Sequence, residues 1–383
     1  MGGSMHADVV VIGGGIAGMS VASELALDRR VVLIEAEPEL GLHATGRSAA
    51  SYVPSYGPTM VRRLTTASLA GFGALSEEAG RPLLAPRAAL YVAGAGGEPA
   101  LERILATQPG GAVRDLPVAD AIALSPTLRP EILVRAAIDE TAGDLDVAGL
   151  LHAYAMRLRG RGGRVVLGGR VHAIRREGAS WTVDTDSTRV VAGAVVNAAG
   201  AWADPVARLA GLPALGIEPR RRSIFLTRGR LAASPAGWPF TLAADESFYF
   251  RGEGESVLVS PADATPVEPH DARPDEVEIA RAIEAVNAMT TLGIRSVARS
   301  WAGLRSFSAD GEPVVGHLDG AEDFHWVAGQ GGYGLQTAPA LARVAAAVVR
   351  GEAIPADLAA HGVDAAALGP SRLIGAGREH RRR

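Results

Sequence analysis

The sequence contains no cysteine, so disulfides, thiolate metal sites and cysteine nucleophiles are all excluded. Neither sign of charge dominates, since the formal net charge is −4, and this balance favours neither nucleic acid nor a membrane surface as a partner. Long hydrophobic runs are missing too. The apolar run near the N-terminus breaks into glycines too early for a signal peptide or a membrane span. We therefore expect a cytoplasmic protein with no membrane span and no nucleic-acid partner.

The first organised segment is a βαβ unit at the N-terminus. An unbroken apolar run, typical of a buried parallel strand, precedes GGGIAG, a helical stretch and a second apolar run that ends in Glu35. Gly13 suits the tight turn, Gly15 lets the backbone approach a pyrophosphate, and Gly18 lets helix and strand approach closely. Glu35 is placed to accept hydrogen bonds from ribose hydroxyls. Because strand, helix, second strand and acid all agree, the segment predicts a dinucleotide site.

Two later segments bear on which dinucleotide is bound. Residues 188–204, TRVVAGAVVNAAGAWAD, form an apolar run that ends in small residues, as needed where a chain passes close to a cofactor. Residues 324–349 predict a strand, a glycine loop and an amphipathic helix, whose N-terminus can stabilise the negative charge of a reduced flavin. Ordinary buried strand-to-helix turns would give the same pattern. We find no second complete GxGxxG unit, so NAD(P)H is not expected as a co-substrate.

Several motifs, in order along nearly the whole chain, resemble the D-amino-acid oxidase superfamily of FAD enzymes. They are VVVIGGGIAG, HATGRSAASYVPSYG, VVNAAGAW, DESFYF, WAGLRSF and GQGGYGLQT. Within that superfamily the sequence is most similar to the bacterial FAD-dependent D-arginine dehydrogenases. The resemblance implies FAD as cofactor and oxidation of a D-amino acid to an imino acid, which water hydrolyses to a 2-oxo acid and ammonia. It favours a dehydrogenase that uses a quinone or artificial acceptor, while the sequence itself leaves the electron acceptor open between oxygen and a quinone.

The length of 383 residues suggests about two domains, and the resemblance implies how the chain divides between them. It implies an α/β fold with a Rossmann-like FAD-binding domain and a second α+β substrate domain built on an antiparallel sheet. The FAD-binding domain would comprise residues 5–84, 145–215 and 300–368, and the substrate domain 85–144 and 216–299. We expect the basic C-terminal residues 369–383 to be disordered.

Oxidation of an amino acid by a flavin requires that the substrate carboxylate be fixed and its amine unprotonated, and it requires neither a nucleophile nor a metal. Arginine suits a buried carboxylate best, because its planar fork makes two parallel hydrogen bonds. In the run Arg220, Arg221 and Arg222, strand alternation sends the outer two to one face and the middle one to the other. Taken alone, such a run more often forms a solvated edge.

The resemblance assigns the substrate contacts. It implies that Arg222 and Arg305 bind the carboxylate together with Tyr249, although Tyr249 also fits the pattern of a core aromatic residue. Tyr56 matches a tyrosine of the side-chain pocket but is equally suited to packing. The other residues assigned to the substrate site are Ser51, Val53, Ala89, Gly332 and Tyr333.

The resemblance also implies the cofactor contacts. We expect small residues to lie against the flavin ring, and an ordinary loop role for His43, which the resemblance does not link covalently to the flavin. The predicted cofactor-binding residues are Gly13, Gly15, Ile16, Ala17, Gly18, Glu35, Ala36, Thr45, Arg47, Ser48, Ala49, Ala50, Val171, Ala199, Gly200, Trp202, Gly303, Arg305, Gly331, Gly332, Tyr333, Gly334, Leu335 and Gln336.

The chain departs from the D-arginine dehydrogenases in the side-chain pocket. Where their PRPEM segment has an acid, this chain reads PRAAL and places Ala89, while Ser51 and Val53 replace a histidine and a threonine. An unpaired buried cation costs several kcal/mol, so uncharged side chains should be preferred over arginine. Two alternatives stay open: a glycine or sarcosine oxidase of the same superfamily, and a flavin-binding protein without turnover.

Overall fold

The computed structural model describes residues 4–107, 112–227 and 235–376. The strands, in chain order, are β1 (Met5–Ile12), β2 (Val31–Ile34), β3 (Ser51–Tyr52), β4 (Leu84–Pro86), β5 (Ala89–Ala93), β6 (Val113–Leu116), β7 (Arg135–Asp139), β8 (Gly143–Leu145), β9 (Arg164–Val166), β10 (Val171–Glu177), β11 (Ser180–Thr185), β12 (Arg189–Asn197), β13 (Glu218–Thr227), β14 (Phe240–Ala243), β15 (Tyr249–Glu253), β16 (Ser256–Ser260), β17 (Thr265–Pro266), β18 (Val297–Phe307), β19 (Val314–Gly316), β20 (Phe324–Ala328) and β21 (Gln330–Gly331). The α-helices are α1 (Ile16–Leu25), α2 (Thr59–Ala79), α3 (Glu98–Ala106), α4 (Val118–Leu124), α5 (Val147–Gly160), α6 (Ala203–Leu209), α7 (Glu276–Met289), α8 (Gly334–Arg350), α9 (Ala356–Ala360), α10 (Ala365–Leu368) and α11 (Ser371–Ala376).

An eight-stranded sheet carries the N-terminal βαβ unit. In its centre, β9, β2, β1, β12 and β20 are parallel, and β10, β11 and β19 extend it in antiparallel pairings. The core on one face draws on α1, α2, α5 and α8, and the core on the other on α6. Both faces are therefore covered, which explains why β1 and β2 read as unbroken apolar runs. The carboxyl ends of the parallel strands meet at one edge, where ligands bind in such sheets.

A ten-stranded, mainly antiparallel sheet forms the second layer of the molecule. Its order is β21-β18-β13-β16-β15-β14-β5-β7-β6, with β17 pairing to β13. The core on one face draws on α4 and α7, while the core on the opposite face draws on α3 and the segment around Val53. The pairing of β13 with β18 sets Arg222 opposite Gly303 and Arg220 opposite Arg305. A three-stranded sheet of β3, β8 and β4 completes the structure.

This architecture confirms the predicted mixed α/β fold, with a Rossmann-like sheet and a largely antiparallel one. Two details differ from the sequence analysis. The expected domain boundary at residue 300 falls inside β18, whose main partner is β13 of the second sheet. The expected disordered tail includes a helix, α11, which the ion pair of Arg372 with Asp310 ties to the domain, and residues 377–383 lie outside the described ranges. Among the helices that the structure describes, none is long and apolar enough to cross a membrane.

Candidate functional site

A cavity of about 440 Å³ lies between the two sheets. At one end it is lined by the carboxyl ends of β1, β2, β12 and β20 and by the N-terminal turns of α1 and α8. At the other end it is lined by residues of β13, β14, β15 and β18 from the second sheet. The cavity therefore joins the dinucleotide fingerprint to the predicted substrate residues.

The glycines of the fingerprint differ in what requires them. Gly13 has φ +113°, and a Cβ there would lie 2.4 Å from the carbonyl oxygen of Ala198. A Cβ on Gly18 would lie 1.9 Å from the carbonyl oxygen of Gly13, so helix and strand could not pack. A Cβ on Gly15 would approach only the Oγ1 of Thr45, at 3.2 Å. Since Gly15 lines the cavity and protein packing does not demand a glycine there, the requirement fits close approach of a ligand.

Two side chains set the charge and polarity around this turn. The backbone N–H of Gly14 donates to Oε2 of Glu35 at 2.6 Å, and that of Ile16 donates to Oγ1 of Thr45 at 3.0 Å. The N–H of Glu37 donates to the other oxygen of Glu35 at 2.9 Å. Glu35 is thus held in one orientation at the end of β2, where it can also accept from a ribose hydroxyl.

Glu37 and His43 line the same end of the cavity, although sequence reasoning gave neither a cofactor role. Nε2 of His43 lies 3.0 Å from Oε1 of Glu37, and the His43 ring lies 4.8 Å from that of Trp202. The only signal in the sequence was their position just after a predicted strand. Their proximity to each other and to Trp202 depends on how the loop after β2 folds, which the sequence pattern does not encode.

The substrate end of the cavity holds a pair of cationic side chains. Arg222 is 7% exposed and comes from β13, while the half-buried Arg305 comes from β18. Burial lowers the pKa of the Arg222 guanidinium, and the charge of Arg305 lowers it further. Within the described residues neither arginine forms an ion pair with an acid, the charge of Asp263 offsets only part of the lowering of the Arg222 pKa, and Nε of Arg222 has no hydrogen-bond partner. Such a pair is electrostatically unfavourable unless an anion lies beside it.

Tyrosines surround the pair of arginines. Burial lowers the pKa of Arg305, but the hydroxyls of Tyr249, Tyr56 and Tyr333, with a hydrogen bond to Tyr56, outweigh this and leave the pKa raised. Among the described residues the buried hydroxyl of Tyr249 has no hydrogen-bond partner, and neither does Oγ of Ser48, which also lines the cavity. Unpaired buried donors that converge on one cavity are what a polar ligand would satisfy.

Arg221 faces away from the cavity. Its guanidinium contacts Asp275 at 2.5 Å and Asp263 at 3.6 Å. Asp263 also accepts hydrogen bonds from the N–H and Oγ of Ser223. Strand alternation thus gives adjacent arginines different partners: carboxylates of the protein for Arg221 and an open cavity for Arg222.

Most of the predicted site residues line this cavity. Exceptions are Gly18, Ala89 and Tyr333. The predicted residues that line it are Gly13, Gly15, Ile16, Ala17, Glu35, Ala36, Thr45, Arg47, Ser48, Ala49, Ala50, Ser51, Val53, Tyr56, Val171, Ala199, Gly200, Trp202, Arg222, Tyr249, Gly303, Arg305, Gly331, Gly332, Gly334, Leu335 and Gln336.

Ala89 is fully buried in β5 rather than on the cavity wall. Its cross-strand partners are Phe240 and Asp139, and directly opposed residues share a face of the sheet. Asp139 is itself fully buried, and its Oδ1 accepts from the N–H and hydroxyl of Thr141. The pocket prediction for Ala89 therefore needs a correction, because the cavity wall nearest to it is formed by Val53 and Phe240.

A second cavity of about 470 Å³ adjoins the first. Tyr56, Leu242 and Tyr249 line both cavities, and Tyr333, whose ring lies 5.4 Å from that of Tyr56, lines only the second. Among described non-glycine residues, those with left-handed φ are Ala50 at 55°, Glu246 at 60° and Ala262 at 53°, and each lines one of the two cavities. Backbone strain of this kind concentrates at functional sites.

Fold and site together define a class of protein: one in which a Rossmann-like sheet holds a dinucleotide while an antiparallel sheet presents cationic side chains to the same cavity. The chain matches the family model of FAD dependent oxidoreductases over residues 8–348. It therefore belongs to that family, and FAD is its cofactor. Within the described residues, no group of three or more histidines and carboxylates is placed to hold a metal ion.

Comparison with individual proteins agrees with this family. FAD-dependent oxidoreductase domain-containing protein 1 of Bos taurus is 33% identical over 176 residues, which is 40% of this chain and 35% of that protein. The match thus spans only about a third of the relative's length. L-proline dehydrogenase from P. horikoshii superposes with a TM-score of 0.83 at 21% identity, over 97% of this chain and 99% of that one. Glycine oxidase from Geobacillus kaustophilus gives 0.79 at 21% identity, over 91% and 96%. These structures establish the fold.

Proposed function

We propose that this enzyme oxidises the α-carbon of a D-amino acid with an uncharged side chain, giving an imino acid that water hydrolyses to a 2-oxo acid and ammonia. The observation that carries the proposal is that the buried Arg222 and the half-buried Arg305 line the same cavity and form no ion pair among the described residues. A substrate carboxylate supplies the missing negative charge. The likeness to D-arginine dehydrogenases remains a prediction.

The chain's own residues hold the substrate rather than react with it. Arg222 and Arg305 bind the carboxylate, and the free hydroxyl of Tyr249 donates to it. Bound FAD supplies the oxidant by accepting a hydride at N5. Gly332, whose added Cβ would lie 2.8 Å from the guanidinium of Arg305, has to stay small so that this arginine can reach the carboxylate.

The amine has to lose its proton before oxidation, and the site favours that loss electrostatically. The acids that line the cavity are Glu35 and Glu37, both at the dinucleotide end. At the substrate end the titratable groups are two arginines and tyrosines, so a neutral amine is favoured over an ammonium. No side chain of the chain needs to act as a base if the substrate arrives with its amine neutral.

The walls around the side chain are apolar. Val53, Ile224, Phe240 and Leu242 line the cavity near Tyr249. Each buried methylene contributes about 0.8 kcal/mol, so medium-sized apolar side chains should be favoured. Among the described residues no carboxylate lines this end of the cavity, and Asp245 and Glu246 line only the adjoining one, so a guanidinium should be disfavoured.

The direct test is an anaerobic screen in which flavin bleaching is followed with D- and L-amino acids, glycine and N-methylglycine. We expect D-leucine or D-methionine to bleach the flavin faster than D-arginine. Faster reaction with glycine or N-methylglycine would favour the glycine oxidase alternative. A flavin that stays oxidised with every compound would favour a binding protein without turnover. Reoxidation in air or with a quinone then identifies the electron acceptor.

A further inference from the structure

The side-chain amide of Gln336 connects parts of the site that are far apart in sequence. Gln336 is 4% exposed and lies in the first turn of α8, whose N-terminus lines the cavity. Its Oε1 accepts from the backbone N–H of Val53 at 3.2 Å, and its Nε2 donates to Oγ1 of Thr65 at 2.9 Å. Thr65 donates its own proton to the carbonyl of Val61 at 2.8 Å, which fixes it as the acceptor. The amide therefore has one orientation and is used by the protein.

The segment that Gln336 contacts, residues 49–56, contributes Val53 and Tyr56 to the cavity wall at the substrate site. Val53 lines the cavity, and its carbonyl accepts from the N–H of Tyr56 at 3.0 Å. Tyr56 lines the same cavity as Arg305, and its hydroxyl contributes to raising the pKa of that arginine. Ala50, at the start of the segment, has left-handed φ of 55°, a conformation that an alanine adopts only when its surroundings enforce it.

We propose that Gln336 is a positioning residue, which fixes the segment 49–56 against the flavin-facing helix so that Tyr56 and Val53 are held at the substrate. The amino side of the segment is anchored by the N–H of Leu145, which donates to the carbonyl of Ala50 at 2.7 Å, and the carboxyl side by the hydrogen bond between the hydroxyls of Ser55 and Tyr91 at 2.9 Å. The bond from Val53 to Gln336 lies between these two anchors. The role differs from the cofactor contact expected from the sequence, because the amide oxygen and the amide nitrogen both bond to the protein, at Val53 and Thr65. The kinetic part of the inference depends on the proposed function, but the structural part does not.

The test compares Gln336→Met, which keeps the length and removes both bonds, with Thr65→Val and Thr65→Ser. Thr65→Val removes one acceptor, and Thr65→Ser retains it as the matched control. In the FAD-loaded enzyme we expect Gln336→Met to speed amide hydrogen exchange across residues 49–57 at least about fivefold, with a smaller change for Thr65→Val and little change for Thr65→Ser. The flavin content should stay unchanged.

The kinetic readout follows with the substrate that the anaerobic screen identifies. We expect Gln336→Met to raise KM about fivefold or more, because the loosened segment has to be ordered by the substrate. Unchanged exchange in residues 49–57 would overturn the inference, and so would a loss of flavin affinity with normal KM, which would make Gln336 a cofactor ligand. A lower Tm with normal exchange and normal KM would reduce Gln336 to a packing role. If no compound bleaches the wild-type flavin, the proposed function fails while the exchange result still decides the positioning role.

Discussion

Replacing Arg222 by methionine should remove substrate capture and at the same time make the substrate-free protein more stable. The two effects have the same origin. In the structure the guanidinium of Arg222 is buried, is repelled by Arg305, and forms no ion pair among the described residues, while the charge of Asp263 compensates only in part. The fold therefore carries an unfavourable charge that a bound anion would offset.

The loss of activity follows from leaving the substrate carboxylate one partner short. Removing one member of a buried charge pair costs about 3–5 kcal/mol, which corresponds to a fall in kcat/KM of more than about a hundredfold. The gain in stability follows from burying a methionine of similar length in place of a charge. Replacing a buried ion pair by apolar residues often stabilises a fold by about 1–4 kcal/mol, and removing one buried charge that lacks an ion pair should act in the same direction, so the Tm of the substrate-free enzyme should rise by at least about 1 °C.

Arg221→Met is the matched control, because it changes the adjacent residue on the opposite face of the same strand. Arg221 contacts Asp275 and Asp263, so its removal should lower the Tm and leave kcat/KM within about threefold of wild type. The assays are steady-state kinetics with the best substrate, flavin absorbance for cofactor content, and thermal unfolding without substrate. The reasoning is refuted if Arg222→Met retains near-normal kcat/KM, or if it lowers the Tm as much as Arg221→Met does.

Three further outcomes are expected. Gly15→Leu should yield protein without the yellow flavin chromophore, because the added side chain would enter the cavity. The wild-type protein should release intact FAD on denaturation, and colourless wild-type protein that cannot be reconstituted with FAD would contradict this. Leu242→Glu should raise kcat/KM for D-arginine relative to D-leucine, and Leu242→Gln should not, because only the carboxylate pairs with the guanidinium; equal shifts in both variants would argue against an apolar pocket. Burial, with the charge of His317, lowers the pKa of His325 to about 4. Because the unfolded chain binds this proton at a higher pH than the folded protein, stability is lost as the pH falls from about 6.5 to about 4. His325→Gln should flatten that part of the profile of Tm against pH, and an unchanged profile would assign the acid sensitivity to other groups.

Features that depend on local chain chemistry could be predicted from the sequence. The dinucleotide turn is one, because Gly18 is required by a contact with Gly13 inside the βαβ unit and Gly13 has a positive φ that suits glycine. The division of the arginine run is another, because strand alternation alone separates Arg221 from Arg222. The mixed α/β fold followed from the same kinds of pattern together with the family resemblance.

Features that depend on long-range pairing could not be predicted. The burial of Ala89 beside Asp139 arises from the register of β5 and β7, and no local pattern reports which residue will lie opposite another. For the same reason the sequence placed the boundary between domains inside β18, which is held by β13 from another part of the chain. The partners of Gln336 come from a loop and from α2, so its resemblance to a cofactor contact concealed its bonds to the protein.

Because three arginines are consecutive in β13, more than one register of this strand would place an arginine at the proposed carboxylate site. If β13 slid by one residue so that Arg221 reached the cavity, Arg220 would meet Asp275, although Pro219 would then take the place of Arg220 beside the Phe307 ring. What opposes the slip is the tail of the strand: Ser223 would replace the buried Ile224, and Ile224 would replace Phe225 on the opposite face. The register that places the arginines is therefore set by their uncharged neighbours. Randomising Ile224 and Phe225 should disturb substrate binding even though every arginine is kept.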